Sequence, residues 1–407
     1  MPSSIRRRLL GTLFATSGIN RTGYLLAVTV ASLAAQDMLG SALWAGLPAA
    51  VGVVGTSLAT TPMSAFMARR GRRAGMVSGQ VVVVVGSLIA AVAVHTGVFF
   101  VLVIGFFLFG VGNSSDRLAR YAAADVVPAE RRGSAIALVV WAGTIGSVIG
   151  PSLLEPAQRF GRNLGVTGLS GPYLVAAVAF IGSGVLIAVL LRPDPLEFAQ
   201  EERATEGSES VPVLTLLRMP KVSFAIIALV IGQVVMVLIM TMTPIHIRSA
   251  GQSLGVVGLV ISAHTLGMFA LSPITGWLAD RFGGLKVVLA GEGLLLVAAL
   301  LASFASGSDE GLLLVSLFLL GLGWNFGFVA GSALVVEDVA PEERLRAQGV
   351  ADAFVWMSGA VATLASGFLL DAGGYSELAL VGAVLSVIPP LALLLRTQGS
   401  GDRKPIP

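Results

Sequence analysis

The chain has 407 residues, of which 55% are hydrophobic and only 12% are charged. A water-soluble globular protein of this length needs more polar surface, so this composition excludes that class and makes lipid the expected solvent. No cysteine is present, which excludes disulfides, iron–sulfur clusters and cysteine-based zinc sites. The net charge of +3 does not indicate nucleic-acid binding, because the basic residues lie in short segments beside apolar runs.

The N-terminal segment combines a basic cluster at Arg6, Arg7 and Arg8 with an apolar run, as a signal peptide does. The run continues past Arg21 to about residue 35, which is too long and too interrupted for a signal peptide. We interpret it as the first of twelve predicted membrane-spanning helices, each with about 20 mostly apolar residues. The twelve lie near 10–35, 42–68, 75–95, 97–124, 133–154, 171–191, 222–246, 254–279, 286–305, 311–337, 347–370 and 375–395.

Lysine and arginine are distributed unequally between the loops. If the N-terminus is cytoplasmic, the inside loops and the C-terminal tail hold most of them, and the outside loops hold only Arg159, Arg162 and Arg248. This positive-inside asymmetry predicts cytoplasmic N- and C-termini, and the alternation requires an even number of helices. The expected location is a bacterial inner (cell) membrane, crossed many times.

A long polar segment and an internal repeat predict two halves. The acidic stretch from Arg192 to Lys221 predicts a cytoplasmic linker at 196–217 between six-helix bundles at 1–195 and 218–407, the second ending in a short cytoplasmic tail. The sequence from Asp125 to Arg131 recurs from Asp338 to Arg344. Halves of six helices with such repeats have the same membrane orientation, which is the parallel-repeat arrangement of one transporter class.

A motif with two glycines begins in the last turn of the eighth predicted helix. The segment reads Gly276-x-x-x-Asp280-Arg281-x-Gly283, followed by Lys286. It resembles motif A of the major facilitator superfamily, and the chain is similar to that superfamily over essentially its whole length. The resemblance implies an all-α fold of two six-helix bundles, a central cavity lined by helices 1, 4, 7 and 10, and alternating access by rocking of the bundles.

The N-terminal copy of motif A is incomplete. Arg69, Gly71 and Arg72 remain, but Ser64 and Ala68 replace the glycine and the aspartate of the family pattern. In this family the charged residues of the motif are expected to hold one conformation closed on the cytoplasmic side. The missing aspartate weakens that expectation for the N-terminal half.

A second motif lies in the fifth predicted helix, where Gly146, Gly150 and Pro151 resemble the core of motif C of the antiporter branches. The family pattern continues with two glycines, whereas Ser152 and Leu153 follow here. The arginine that drug–proton antiporters carry in the fourth helix (motif B) is also absent. The alternative interpretation is close helix packing with a proline kink.

Charged residues within the predicted helices are candidates for function, because they are costly in a membrane. Arg21 in the first helix and Asp116 in the fourth lie at similar depth, and Arg117 follows Asp116. We predict that Asp116 couples transport to protons, with Arg21 and Arg117 beside it. The alternative is a static buried ion pair. Arg120 is expected to snorkel to the cytoplasm, and Asp352 to lie at a helix start.

Other polar side chains predict a substrate cavity suited to an amphipathic organic solute. The predicted cavity residues are Asn20, Asn113, Ser114, Gln233, His264, Trp324 and Asn325. The alternative interpretation is hydrogen bonding between helices for the amides and packing for Trp324. Glu292 is expected to lie off the cavity.

The predicted function is proton-coupled export of a small amphipathic organic molecule. Alternatives are uptake of a nutrient or metabolite, and a membrane sensor or lipid-handling protein on the same fold. Methionines near His246 and His264 match the ligands of a soft metal such as Cu(I), but methionine at helical spacing is typical of apolar filling. No P-loop and no enzyme constellation is found, so we expect no enzyme activity, cofactor or metal. The expected partners are the solute, protons and the bilayer, with no nucleic acid, and the protein is expected to be a monomer.

Overall fold

The computed structural model describes residues 3–39, 44, 47–201 and 213–400 of the chain. All regular structure in these ranges is helical. The α-helices are α1 (Ser3–Leu39), α2 (Leu47–Arg70), α3 (Arg72–Thr96), α4 (Phe99–Arg117), α5 (Ala119–Asp125), α6 (Arg132–Ser152), α7 (Leu154–Asn163), α8 (Gly171–Leu190), α9 (Pro195–Glu201), α10 (Val213–Arg218), α11 (Pro220–Ser249), α12 (Leu254–Phe269), α13 (Ser272–Phe282), α14 (Gly284–Phe304), α15 (Glu310–Leu334), α16 (Pro341–Ser386) and α17 (Ile388–Ser400). Short 3-10 helices lie at Ala129–Arg131 and Gly168–Ser170.

The described helices account for twelve membrane crossings. Ten helical stretches are long and apolar enough to span a membrane. One of them, Glu343–Leu394, has 52 residues and contains a break at Gly374, where φ is 85°, so it supplies two crossings. Helix α6 adds another apolar segment of 21 residues. The predicted all-α fold with twelve spanning helices is confirmed.

The repeated Arg-x-Gly sequence has a structural reason. Gly71 precedes helix α3 with φ 93°, and Gly283 precedes helix α14 with φ 89°. A side chain with a Cβ atom rarely adopts this conformation, so glycine is required at both sharp turns. The two copies of the motif therefore build the same helix–turn–helix joint.

Contacts among the residues divide the chain into two compact units. The first comprises Met1–Val213 and Val339–Ala360, and the second comprises Leu214–Asp338 and Val361–Pro407. The bundle limits expected from the sequence, 1–195 and 218–407, stay a prediction. Within the expected linker, Pro195–Glu201 is a short helix, and residues 202–212 lie outside the described residues.

Close helix packing in each unit depends on glycine. In the first unit, a Cβ atom at Gly110 of α4 would lie 1.9 Å from the backbone oxygen of Gly52 in α2. In the second unit, a Cβ atom at Gly321 of α15 would lie 2.2 Å from the backbone oxygen of His264 in α12. Lipid provides no hydrophobic force between helices, so such backbone approach supplies the van der Waals contact that holds them together.

Candidate functional site

Asp116 lies near the end of helix α4 and accepts hydrogen bonds from helix α1. The Asn20 Nδ2 atom donates to its Oδ1 atom at 3.0 Å, and the Ser17 Oγ atom donates to the same oxygen at 3.4 Å. Arg21 and Arg117 also act on this carboxylate electrostatically. The structure thus brings the three residues of the predicted proton site together, with Asn20 as a direct partner.

Arg117 lies against two aromatic rings that the sequence interpretation missed. Its guanidinium carbon is 4.0 Å from the ring centroid of Trp356 in α16 and 5.4 Å from that of Tyr24 in α1. Arg21 lies 5.9 Å from the same Tyr24 ring centroid. These distances are in the range of cation–π attraction, in which the cation lies over the face of the aromatic ring. All three contacts lie within the first unit.

Four polar atoms at this point have no hydrogen-bond partner within the described part of the chain. They are the Asn20 Oδ1, Asn113 Nδ2, Arg117 Nε and Trp356 Nε1 atoms. Asn113 and Arg117 are four residues apart on α4, so they lie on one face of that helix. We call the following residues the polar cluster: Asn20, Arg21, Tyr24, Asn113, Asp116, Arg117 and Trp356. Ser114, which was predicted beside them, is buried and donates to the backbone oxygen of Val111 in its own helix.

A buried ion pair lies close to the polar cluster. Arg120 donates to Asp352, and Tyr121 donates to the same carboxylate oxygen at 3.2 Å. The expectations that Arg120 snorkels and that Asp352 starts a helix are wrong. Helix α16 begins at Pro341, so Asp352 lies three turns inside it. Proline at the first helical position is a helix-start signal that could have placed this residue correctly.

The motif C glycines pack helix α6 against helix α1. A Cβ atom at Gly146 would lie 2.4 Å from the Arg21 Cγ atom, and one at Gly150 would lie 3.0 Å from the Leu25 Cβ atom. Glycine at these positions lets α1 approach α6 at the level of Arg21. The side chain of Pro151 lies outside the described residues.

The incomplete N-terminal copy of motif A is held by Arg72 and by a distant acidic residue. Arg72 is fully buried and donates to Asp125 at 2.8 Å and to Gln348 at 2.7 Å. The Asp194 carboxylate accepts from the backbone N–H groups of Arg72 and Arg73, both at 2.9 Å. An acidic group at a helix N-terminus satisfies free N–H groups and the helix dipole. Asp194 therefore caps helix α3 from a distant part of the sequence.

The remaining motif A residues lie at helix ends. Arg69 is exposed at the end of α2. In the second unit, Gly276 is buried in α13 and Asp280 is half-buried in the same helix. The Arg281 guanidinium carbon lies 5.4 Å from the Trp277 ring centroid.

The predicted cavity residues of the second unit hydrogen-bond between helices. The Trp324 Nε1 atom of α15 donates to the Gln233 Oε1 atom of α11 at 2.9 Å. The Asn325 Nδ2 atom donates to the backbone oxygen of Met268 at 2.7 Å and to the Ser272 Oγ atom at 2.6 Å. The side-chain amides of Gln233 and Asn325 thus bind helices α11, α12 and α13 to α15.

Two buried titratable side chains of the second unit have free polar atoms within the described residues. The His264 Nδ1 atom bonds the backbone oxygen of Leu317 at 2.9 Å, whereas its Nε2 atom has no partner. Both carboxyl oxygens of Glu292 in α14 lack a partner among those residues. His246 stacks on Tyr375, with ring centroids 4.1 Å apart.

Comparison with known proteins assigns the family. The Major Facilitator Superfamily model matches residues 12–255 and 246–406. The MFS-type transporter YdeG of Bacillus subtilis is 35% identical over 391 residues, 95% of this chain and 91% of that protein. The riboflavin transporter RfnT of Brucella anthropi is 29% identical over 383 residues, 92% of each chain.

Solved structures show the same fold. The crystal structure of the E. coli fucose:proton symporter FucP has a TM-score of 0.73 at 17% identity, and the alignment covers 93% of this chain and 96% of that chain. The family match extends over nearly all of the residues, and the twelve spanning helices agree with it. The chain therefore belongs to the major facilitator superfamily and is a multi-pass membrane transporter.

Proposed function

We propose that this protein is a secondary active transporter of a bacterial cell membrane that exports a small amphipathic organic solute in exchange for protons. Asp116 is the proton-binding residue of this proposal. The supporting observation is its position between the hydrogen-bond donors of α1 and the charges of Arg21 and Arg117. Ionisable residues inside a membrane span are costly and commonly mark ion pathways.

Proton binding gives Asp116 a way to change the contacts between helices. A protonated carboxyl no longer attracts Arg21 and Arg117 as an anion does, so the link between α1 and α4 weakens. Gly146 packs directly on Arg21, which passes such a change to α6. In the proposed cycle the bundles 1–195 and 218–407 move as bodies to give alternating access, and the protein acts as a monomer.

Export is the proposed direction because Gly146 and Gly150 resemble motif C of the antiporter branches. A second candidate is transport of riboflavin, which is supported by the relative RfnT that aligns over 92% of this chain. A sensor or lipid-handling role is the candidate of another class. Saturable solute flux in liposomes distinguishes transport from that role.

The test uses efflux-deficient bacteria that express the wild type, Asp116→Asn or the control Glu155→Gln. Glu155 is an exposed carboxylate outside the spans, so its change leaves the membrane interior intact. We expect the wild type and the control to lower accumulation of a panel of dyes, drugs and riboflavin, and a protonophore to abolish this effect.

Asp116→Asn is expected to abolish the protonophore-sensitive decrease in solute accumulation. The reason is that an amide side chain cannot bind and release a proton at physiological pH. Purified wild type and variant in liposomes with an imposed pH gradient provide the second measurement. Unchanged gradient-driven flux in Asp116→Asn contradicts the role of Asp116. Accumulation that rises with wild type indicates uptake instead of export.

A further inference from the structure

Three exposed arginines lie together at one end of the first unit. Arg7 and Arg8 are near the start of α1, and Arg192 follows the end of α8. Arg8 donates to the backbone oxygen of Arg192, which brings the start of α1 beside the end of α8. Within the described part of the chain, none of the three forms an ion pair. We call these three residues the arginine cluster.

The acidic residues next to Arg192 in the sequence bond to backbone groups. The Asp194 carboxylate accepts from the backbone N–H groups of Arg72, Arg73 and Leu196, each at 2.9 Å. The Glu197 Oε1 atom accepts from the backbone N–H group of Asp194 at 3.2 Å. Both carboxylates thus serve helix starts, and the guanidinium groups of the arginine cluster stay available to an anion from outside the chain.

An apolar furrow lies between the same two helices and helix α6. It contains a cavity of about 290 Å³. The Phe14 ring of α1 lines this cavity and stacks on Trp141 of α6, with ring centroids 5.4 Å apart, so an aromatic pair joins α1 to α6 beside it. The other lining residues that matter here are Ala15, Gly18 and Thr22 of α1, Ile145 and Ile149 of α6, and Ala179 of α8.

The furrow continues from the cavity to the arginine cluster. The two arginines of α1 share a helix face with Gly11, Ala15 and Gly18, because residues three and four apart are neighbours on a helix. A Cβ atom at exposed Gly11, or at exposed Gly182 of α8, would meet no atom within 4 Å, so the space there is open. From Gly11 to Thr22 helix α1 rises about 17 Å. That length is close to one leaflet of a hydrocarbon core about 30 Å thick.

We propose that the furrow binds one anionic phospholipid, with its phosphate on the arginine cluster and one acyl chain along α1 from Gly11 to Thr22. The leaflet is the one at the N-terminal end of α1, which is expected to be cytoplasmic. Arginine binds phosphate through parallel N–H bonds, and basic residues at the cytoplasmic ends of spans attract anionic headgroups. The lipid site is separate from the polar cluster and goes beyond the proposed transport function.

The test measures lipid binding to the purified full-length protein by native mass spectrometry in detergent. Phosphatidylglycerol, which is anionic, is titrated in parallel with zwitterionic phosphatidylcholine that has the same acyl chains. The wild type is expected to bind one phosphatidylglycerol at least about tenfold more tightly than phosphatidylcholine. Glycerol phosphate, which has the phosphate without the chains, is expected not to displace the bound lipid.

A charge variant tests the headgroup contact. Basic residues near an anionic lipid each contribute about fivefold in affinity, so Arg7→Gln with Arg8→Gln is expected to weaken phosphatidylglycerol binding roughly 30-fold. Its control is Arg70→Gln with Arg248→Gln, which removes two exposed arginines away from the furrow and is expected to bind as wild type does.

A shape variant tests the acyl-chain contact without changing the charge. Gly11→Leu places a side chain in the furrow and is expected to weaken both lipids at least about tenfold, because each buried CH₂ group contributes about fourfold. Gly293→Leu is the matched control, since Gly293 of α14 is exposed and a Cβ atom there also meets no atom within 4 Å. Size-exclusion profiles establish that each variant is folded.

The outcomes decide the inference without any measurement of flux. Equal affinity of the wild type for the two lipids overturns it, as does undiminished phosphatidylglycerol binding by the Arg7 and Arg8 double variant. Equal lipid binding by Gly11→Leu and Gly293→Leu overturns the furrow as the chain site, and displacement by glycerol phosphate indicates a site for free phosphate instead. Selective loss of binding in both furrow variants, with both controls unchanged, supports the lipid site.

Discussion

At the scale of single residues, the most consequential pair is Arg120 with Asp352. Both side chains are almost fully buried, and Tyr121 supplies a second hydrogen bond to the carboxylate. The pair joins α5 to α16, which are separated by more than two hundred residues of sequence. Loss of one partner leaves a buried charge without compensation, which costs more than the pair itself contributes.

Asp352→Asn is therefore expected to destabilise the protein by about 3–5 kcal/mol, measured by chemical or thermal unfolding in detergent. The double variant Arg120→Met with Asp352→Leu removes both charges and is expected to restore much of the loss. Glu155→Gln is the matched control. Its partner Arg159 lowers the pKa of the Glu155 carboxyl through a hydrogen bond, but both side chains are exposed, so we expect no shift in melting temperature. A melting temperature of Asp352→Asn equal to that of the wild type refutes a structural role for the Arg120–Asp352 pair.

At the scale of helices, glycine positions decide how closely the helices pack. Helix α15 offers two glycines for comparison. A Cβ atom at Gly321 would be 2.2 Å from the His264 backbone oxygen, whereas one at Gly327 meets no atom within 4 Å. The two positions share a helix and a residue type but differ in whether an added Cβ atom would meet the backbone of another helix.

Gly321→Ala is expected to separate α15 from α12, because the added Cβ atom meets backbone that cannot rotate away. The expected loss of stability is about 3 kcal/mol, the upper end of the usual cost of overpacking. Gly327→Ala is expected to be neutral or to stabilise by up to about 1 kcal/mol, through the better helix propensity of alanine. Thermal unfolding of both variants in the same detergent is the measurement. Equal melting temperatures for the two variants contradict the prediction that close packing at Gly321 contributes to stability.

At the scale of the whole molecule, the loop charges predict orientation in the membrane. The native chain has no cysteine, so a single introduced cysteine is a specific label site. Ser308 is exposed between α14 and α15, in a loop predicted to be outside, and Ser208 lies in the predicted cytoplasmic linker.

A membrane-impermeant maleimide is expected to label Ser308→Cys in intact cells. Ser208→Cys is expected to react only after the membrane is permeabilised. The cysteine-free wild type is the control for background. Labelling of Ser208→Cys in intact cells places the linker outside and reverses the proposed topology.

Sequence information was sufficient for the features that depend on local pattern. Long apolar runs predict the twelve spans, and the repeated Arg-x-Gly turns and motif A identify the family. The similar depth of Arg21 and Asp116 follows from 1.5 Å of rise per residue, and the family resemblance implies that helices 1 and 4 both line the cavity. The structure places them in one cluster, while their role in coupling stays a prediction.

The partners of individual side chains were decided only by tertiary structure. A span surrounded by lipid is apolar on both its buried and its outer faces, so its sequence does not show how far the helix is rotated about its axis. That rotation brings Arg117 to Trp356 and Arg120 to Asp352, and it bonds Gln233 to Trp324. Helices far apart in sequence set these contacts by packing backbone against backbone, which is why the residues facing the polar cluster could not be derived from the chain by itself.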